Sequence, residues 1–171
     1  MKRYLAVGVL VLAAALGACG YHFRGRQNNL PSDVRTIAIP MFKNNTSELR
    51  IESIFTGEVI FQFTRSQMVR VVSEDQSDAV LKGEIMAVEI EDVAYSATET
   101  SRQRRVKITV KADLTRRRDA RVLWQDRRLI QRRTYLVGSD PQTTDTAKQT
   151  AITELAKAMA QTLHDRVFEN F

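Results

Sequence analysis

Val106-Lys107-Ile108-Thr109-Val110-Lys111-Ala112-Asp113-Leu114 alternates apolar and polar residues without a break. Successive side chains of a strand point to opposite faces, so a period of two predicts a half-buried β-strand. Val106, Ile108, Val110, Ala112 and Leu114 would turn inward, leaving Lys107, Thr109, Lys111 and Asp113 on a cationic outer face. A sheet buried on one side and open on the other is typically antiparallel, with neighbouring strands joined by short loops.

The flanking sequence supplies those neighbours. Upstream, Ala79, Leu81, Gly83, Ile85 and Ala87 alternate with Lys82 and Glu84, a strand expected to run towards Val93 or Tyr95. Residues 95–103 are polar and read as the hairpin loop. Downstream, residues 116–120 form a turn, and Val122 to Val137 returns as a strand rich in Leu, Ile, Tyr and Arg, with Trp124 near its start. Two shorter β-type runs come earlier, Thr36 to Phe42 and Met68 to Val72. Pro40 has no N–H for a ladder, which places the first at an edge or interrupts it there.

Helical spacing accounts for the rest. Between Ser47 and Arg65, the residues Ile51, Ile54, Phe55, Val59, Ile60 and Phe63 form one apolar stripe. Asn45 and Glu48 before it stand at capping-box spacing. Ser139-Asp140-Pro141 starts a second helix, whose stripe is Ile152, Leu155, Met159, Leu163, Val167 and Phe168. The expected fold is therefore α+β. It is a two-layer sandwich of two amphipathic helices on a mostly antiparallel sheet of about four strands, a single domain over residues 34–171.

The N-terminus is of another kind. Lys2 and Arg3 precede a run, Leu5 to Leu16, that is apolar or small throughout. About 12 such residues suit a signal-peptide core and fall short of a membrane span. Leu16-Gly17-Ala18-Cys19 resembles the lipobox of bacterial lipoproteins. The resemblance implies removal of a signal peptide, residues 1–18, and lipidation of Cys19 on its thiol and new amine. Each buried methylene contributes about 0.8 kcal/mol, so several acyl chains anchor a protein stably. Gly20, in place of an Asp after the cysteine, points to the outer membrane. Gly20, Gly25, Asn28, Asn29 and Pro31 mark residues 19–33 as an extended leader. Cys19 is the only cysteine, so lipidation leaves no thiol for a disulfide, a nucleophile or a zinc site.

The formal charge of the whole chain is +6, and the basic residues are concentrated. Arg102 to Arg133 holds thirteen cations against Asp113, Asp119 and Asp126. In a cytosolic protein that density would suggest nucleic acid. Export removes that partner, and the anions left are phosphorylated lipopolysaccharide and acidic phospholipid headgroups. A solvated sheet face is the other reading of the same charges. Catalytic patterns are missing from the sequence: it has neither HExxH nor GxSxG and no phosphate-cradling glycine loop. His22 and His164 are the only histidines, too few for a zinc site without cysteines. Glu89, Glu91 and Asp92 read as a solvated strand face. A binding or scaffold protein without metal, cofactor or enzymatic activity is expected.

Cys19-Gly20-Tyr21-His22-Phe23-Arg24-Gly25 resembles the start of mature proteins of the LptE family of lipopolysaccharide-assembly lipoproteins. Further segments fit in the same order: Ile39 to Thr46 before the first helix, Ser77 to Ile85 opening the hairpin, Val122-Leu123-Trp124, and the closing helix. The resemblance implies an α/β sandwich that plugs the outer-membrane β-barrel LptD and helps move lipopolysaccharide to the outer leaflet. It implies no catalysis by the lipoprotein itself. The charge pattern, not a family motif, nominates Arg102, Arg104, Arg105, Lys107 and Lys111 as lipopolysaccharide-phosphate ligands, since guanidinium offers bidentate contacts to phosphate. The alternative is an envelope lipoprotein that scaffolds or regulates another machine, such as a peptidoglycan synthase, through protein contacts alone.

Overall fold

The computed structural model describes residues 30–93 and 102–169. The signal segment, Cys19, the leader up to Asn29 and most of the expected hairpin loop lie outside them. Three long strands form the antiparallel meander expected from the sequence: β4 (Ala79–Asp92), β5 (Gln103–Arg116) and β6 (Val122–Leu136). On β5 the alternation holds along its length, with Val106, Ile108, Val110 and Leu114 fully buried and their neighbours partly exposed.

Three short strands complete the sheet: β1 (Thr36–Ala38), β2 (Lys43–Asn44) and β3 (Arg70–Val71). β1 lies between β3 and β4, parallel to both, and β2 pairs in parallel with β4 at Glu84 and Ile85. The sheet is thus mixed and six-stranded, in the order β3-β1-β4-β5-β6 with β2 beside β4. This corrects the expected four strands, mostly antiparallel. Parallel neighbours need a crossover, here the helix between β1 and β3, and strands of two or three residues are too short to display a period. β1 is also interior, not an edge. The chain leaves the ladder after Ala38, passes Pro40, and re-enters at Lys43.

A β-bulge interrupts β4 between Ile85 and Ala87. Ala79, Leu81 and Ile85 point inward before it, but beyond it Ala87 stands opposite Thr109 on the open face. The alternation read from the sequence therefore reverses at Met86, as one extra residue must make it do.

Both helices cover the same face. α1 (Ile51–Ser66) buries Ile51, Phe55, Val59 and Phe63, with Ile54 and Ile60 packed at the margin. The Asn45–Glu48 capping box does not form. Arg50 stands at the N-cap in the left-handed region (φ 65°) without a side-chain cap, while Asn45 reaches across to the Glu84 carboxylate at 2.8 Å. Asn44 takes the local role, donating to the Glu48 carbonyl and the Glu52 carboxylate, both at 2.9 Å. α2 (Pro141–Glu169) starts as expected: Asp140 accepts the Thr143 N–H at 2.9 Å, and Pro141 occupies the first turn. Its stripe, Ile152 to Phe168, is buried throughout. Aromatic contacts stitch the layers, with Phe42 on Phe55 at 5.0 Å and Phe63 on Phe168 at 5.7 Å. Arg133–Glu154, Arg166–Asp126 and Gln131–Thr162 tie β6 to α2.

Candidate functional site

With both helices on one side, the other face of the sheet is uncovered among the described residues. The register across β4 and β5 decides what it presents. Glu84 stands opposite Lys111, Glu89 opposite Lys107 and Glu91 opposite Arg105. Opposed charges at this spacing attract, and Lys107 and Lys111 are met by carboxylates of the neighbouring strand, whereas Glu91 turns to Lys107 and not to Arg105. Lys107 Nζ lies 2.7 Å from Glu89 and 3.9 Å from Glu91, and its side chain is only 17% exposed. Lys111 Nζ lies 3.2 Å from Glu84. Glu84 is held below the usual carboxylate range, first by the Asn45 amide and then by Lys111.

The five nominated residues do not share one face. Arg105, Lys107 and Lys111 line the open side. Arg104 has the other parity, opposite Asp92 and Tyr135, and its Nε donates to Asp92 at 2.9 Å. That hydrogen bond, with the Asp92 charge, raises the Arg104 pKa further. Arg102 precedes β5 and is exposed. Among the described residues, no ion pair engages Arg102, Arg105 or Arg132, the last opposite Lys107 on β6. These three guanidiniums are the donors left over at the hairpin end of the sheet. Arg132 sits on a different strand, 27 residues beyond Arg105, so its position in the sequence does not connect it with this group. Only the β5–β6 register brings it alongside.

Two recesses flank this surface. One, of about 550 Å³, lies at the hairpin end against the start of α2, where Ile90, Arg104, Tyr135 and Lys148 combine apolar surface with cations. Burial disfavours the Lys148 charge, but Glu48 and Asp145 more than restore it. The other, of about 590 Å³, lies on the open face between Met41, Lys43, Glu84, Lys111 and Arg127. Asp140 and Asp145 balance the cations of the first, and acidic residues balance those of the second, so neither favours a ligand sign.

His164 packs between Phe63 and Phe168, at centroid distances of 5.1 and 4.8 Å, with Nδ1 at 3.0 Å from Asp165. It is a packing residue of the helix interface. Among the described residues, no three His, Cys, Asp or Glu side chains gather in a way that could hold a metal ion. No helix there is long and apolar enough to cross a membrane. His22 lies outside the described residues.

The architecture, two helices over one face of a mixed sheet, defines a class of small α+β domains that recurs among solved bacterial proteins. A minor lipoprotein from Acinetobacter baumannii superimposes with a TM-score of 0.55 at 12% identity, covering 82% of this chain and 95% of that one. A Helicobacter pylori protein named as a homologue of a neuraminyllactose-binding hemagglutinin gives 0.57 at 8%, covering 87% and 92%. The PelC dodecamer from Paraburkholderia phytofirmans gives 0.51 at 10%, covering 82% and 92%. At these identities the likeness is one of fold. No curated protein matches the sequence. The family model for LptE, lipopolysaccharide-assembly, matches residues 34–167. The chain belongs to the LptE family.

Proposed function

We propose that this protein is an outer-membrane lipoprotein that plugs an LptD-like β-barrel and assists lipopolysaccharide assembly into the outer leaflet, with no catalytic step of its own. The observation that carries this reading is the family match across residues 34–167, essentially the whole described domain. The proposed layout is a signal peptide over residues 1–18, a leader over 19–33 anchored through lipid on Cys19, and the α+β domain over 34–171.

Lipopolysaccharide phosphates would meet Arg102, Arg104, Arg105, Lys107 and Lys111, and the geometry separates these into two groups. Arg102 and Arg105, joined by Arg132, offer donors that no ion pair among the described residues occupies. Arg104, Lys107 and Lys111 must exchange an internal carboxylate for a phosphate, which reduces their net contribution. Charge-assisted, bidentate guanidinium contacts suit phosphate best, so the arginines lead.

Co-purification in detergent tests the reading. A stable complex with a large outer-membrane β-barrel is expected. A complex with a peptidoglycan synthase, or none, would replace it with the scaffold reading. Mass analysis of the mature N-terminus tests lipidation, with acylated Cys19 as the expected first residue.

A further inference from the structure

The β5–β6 turn lies at the other end of the meander from Arg102, about 45 Å away along a 14-residue strand. It reads Arg116-Arg117-Arg118-Asp119-Ala120-Arg121. Arg116 is nine-tenths buried. Its Nη2 lies 3.5 Å from Asp33 and its Nη1 3.3 Å from Asp119, while its buried Nε has no partner. Arg118 meets the other oxygen of Asp33 at 3.1 Å and stays two-thirds exposed. The Arg117 side chain donates to the Glu74 carbonyl. The three arginines, with Asp33, Asp75 and Asp78, line a cavity of about 330 Å³.

The carboxylates around this cavity are already engaged by internal donors. Asp78 accepts from the Arg35 N–H and from the Thr36 N–H and hydroxyl, at 2.8–2.9 Å. Asp119 accepts from the Arg121 N–H at 3.1 Å. Asp33 has one oxygen on Arg116 and the other on Arg118. A guanidinium has five donors, and Arg116 makes only two long contacts. A buried guanidinium so incompletely met, flanked by two more at the rim, has an unmet demand for an acceptor and none for a donor.

We infer that the Arg116–Arg118 turn is a second anion site, taking the phosphodiester of a phospholipid headgroup, and that Asp33 is the internal carboxylate that yields to it. A phosphate would take the place of the Asp33 carboxylate, between Arg116 Nη2 and Arg118 Nη1. The choice of a membrane lipid as its source rests on the lipid-anchor reading. Asp33 follows Cys19 by fourteen residues, so a fully extended tether holds this end of the domain within about 50 Å of the bilayer surface. The contact would set the domain's orientation on the membrane from the end opposite the proposed lipopolysaccharide site.

The test follows the Arg116 Nε–H resonance of the full chain in micelles during titration with dihexanoyl phosphatidylglycerol, dihexanoylglycerol and inorganic phosphate. Saturable shifts with the phospholipid, none with dihexanoylglycerol, and weaker ones with inorganic phosphate are expected. Asp33→Asn should tighten phospholipid binding about fivefold by removing the competing charge, and Arg118→Gln should weaken it by a similar factor. No shift with the phospholipid, or an Asp33→Asn variant that binds no better, overturns the proposal. A response to inorganic phosphate alone overturns the lipid assignment. The short-chain lipid is soluble, so a Cys19→Ser chain should respond equally. Loss of membrane anchoring in that variant, or its absence in the parent, is scored separately by membrane fractionation.

Discussion

Lys107 Nζ lies 2.7 Å from the Glu89 carboxylate, and the pair exists because the chain bulges at Met86. Were Met86 paired in the ladder instead of bulged out, Glu89 and Glu91 would share the inward parity of Ile85 and face the helices. Deleting Met86 should be tolerated, because Ile85 and Ala87 already pair with the consecutive residues Val110 and Thr109. Met86 is 41% exposed, so Met86→Gln should leave stability within about 0.5 kcal/mol. The deletion keeps Glu89 and Glu91 on the open face, and a cooperative urea transition is expected. Loss of the cooperative transition in the deletion variant would remove this account of the bulge.

The internal ion pairs rank the cations for ligand binding. Arg102→Glu with Arg105→Glu should weaken lipopolysaccharide binding more than Lys107→Glu with Lys111→Glu, because the lysines already have carboxylate partners. Both losses should diminish with added salt, as expected of exposed charges within a Debye length of about 10 Å at 0.1 M. Binding isotherms at two salt concentrations check this. Unchanged binding in both double variants at low salt would exclude this surface as the ligand site.

Two glycines predict opposite outcomes for the same substitution. A Cβ on Gly83 would lie 2.0 Å from the Phe42 ring, which is itself buried and packed on Phe55. Gly83→Ala should cost about 3 kcal/mol, the upper range for overpacking a core. A Cβ on Gly57, in the middle of α1, meets nothing within 4 Å. Gly57→Ala should stabilise by roughly 0.5–1 kcal/mol by restoring helix propensity. Urea midpoints moving in opposite directions would confirm the pair.

Asp78 is held below the usual carboxylate range, chiefly by the Arg35 N–H and then by the Thr36 hydroxyl. A group whose folded pKa is depressed contributes its stability above its unfolded pKa, about 3.9 for Asp. That contribution is lost as pH falls through the lower, folded value. Asp78→Asn should accordingly be less stable than the parent at pH 7, with the difference shrinking below about pH 4. A difference independent of pH between 2 and 7 would assign the effect to geometry rather than charge.

The long strands and both helices were legible because each repeats its period many times. Five inward residues on β5 and six apolar positions on α2 leave no second interpretation, and Asp140-Pro141 marks the start of α2 with local chemistry alone. The short parallel strands were not, since β1, β2 and β3 gain their place from partners 34 or more residues apart in the chain. The Asn45–Glu48 capping signal misled because the Asn45 side chain found a better partner across the loop, in Glu84.

The candidate site divides along the same line. Its basic composition, the lone Cys19 and the family-like string Cys19 to Gly25 are properties of the chain, and the lipoprotein and phosphate readings rest on them. Which cations stay available is a property of register. A single bulged residue put Glu89 and Glu91 beside Lys107, and the β5–β6 ladder put Arg132 beside it from the other side. Sequence alone determined the two layers and the sign of the charge. Tertiary structure decided which charges are neutralised, because Coulomb attraction depends on distances of a few ångströms that only strand pairing sets.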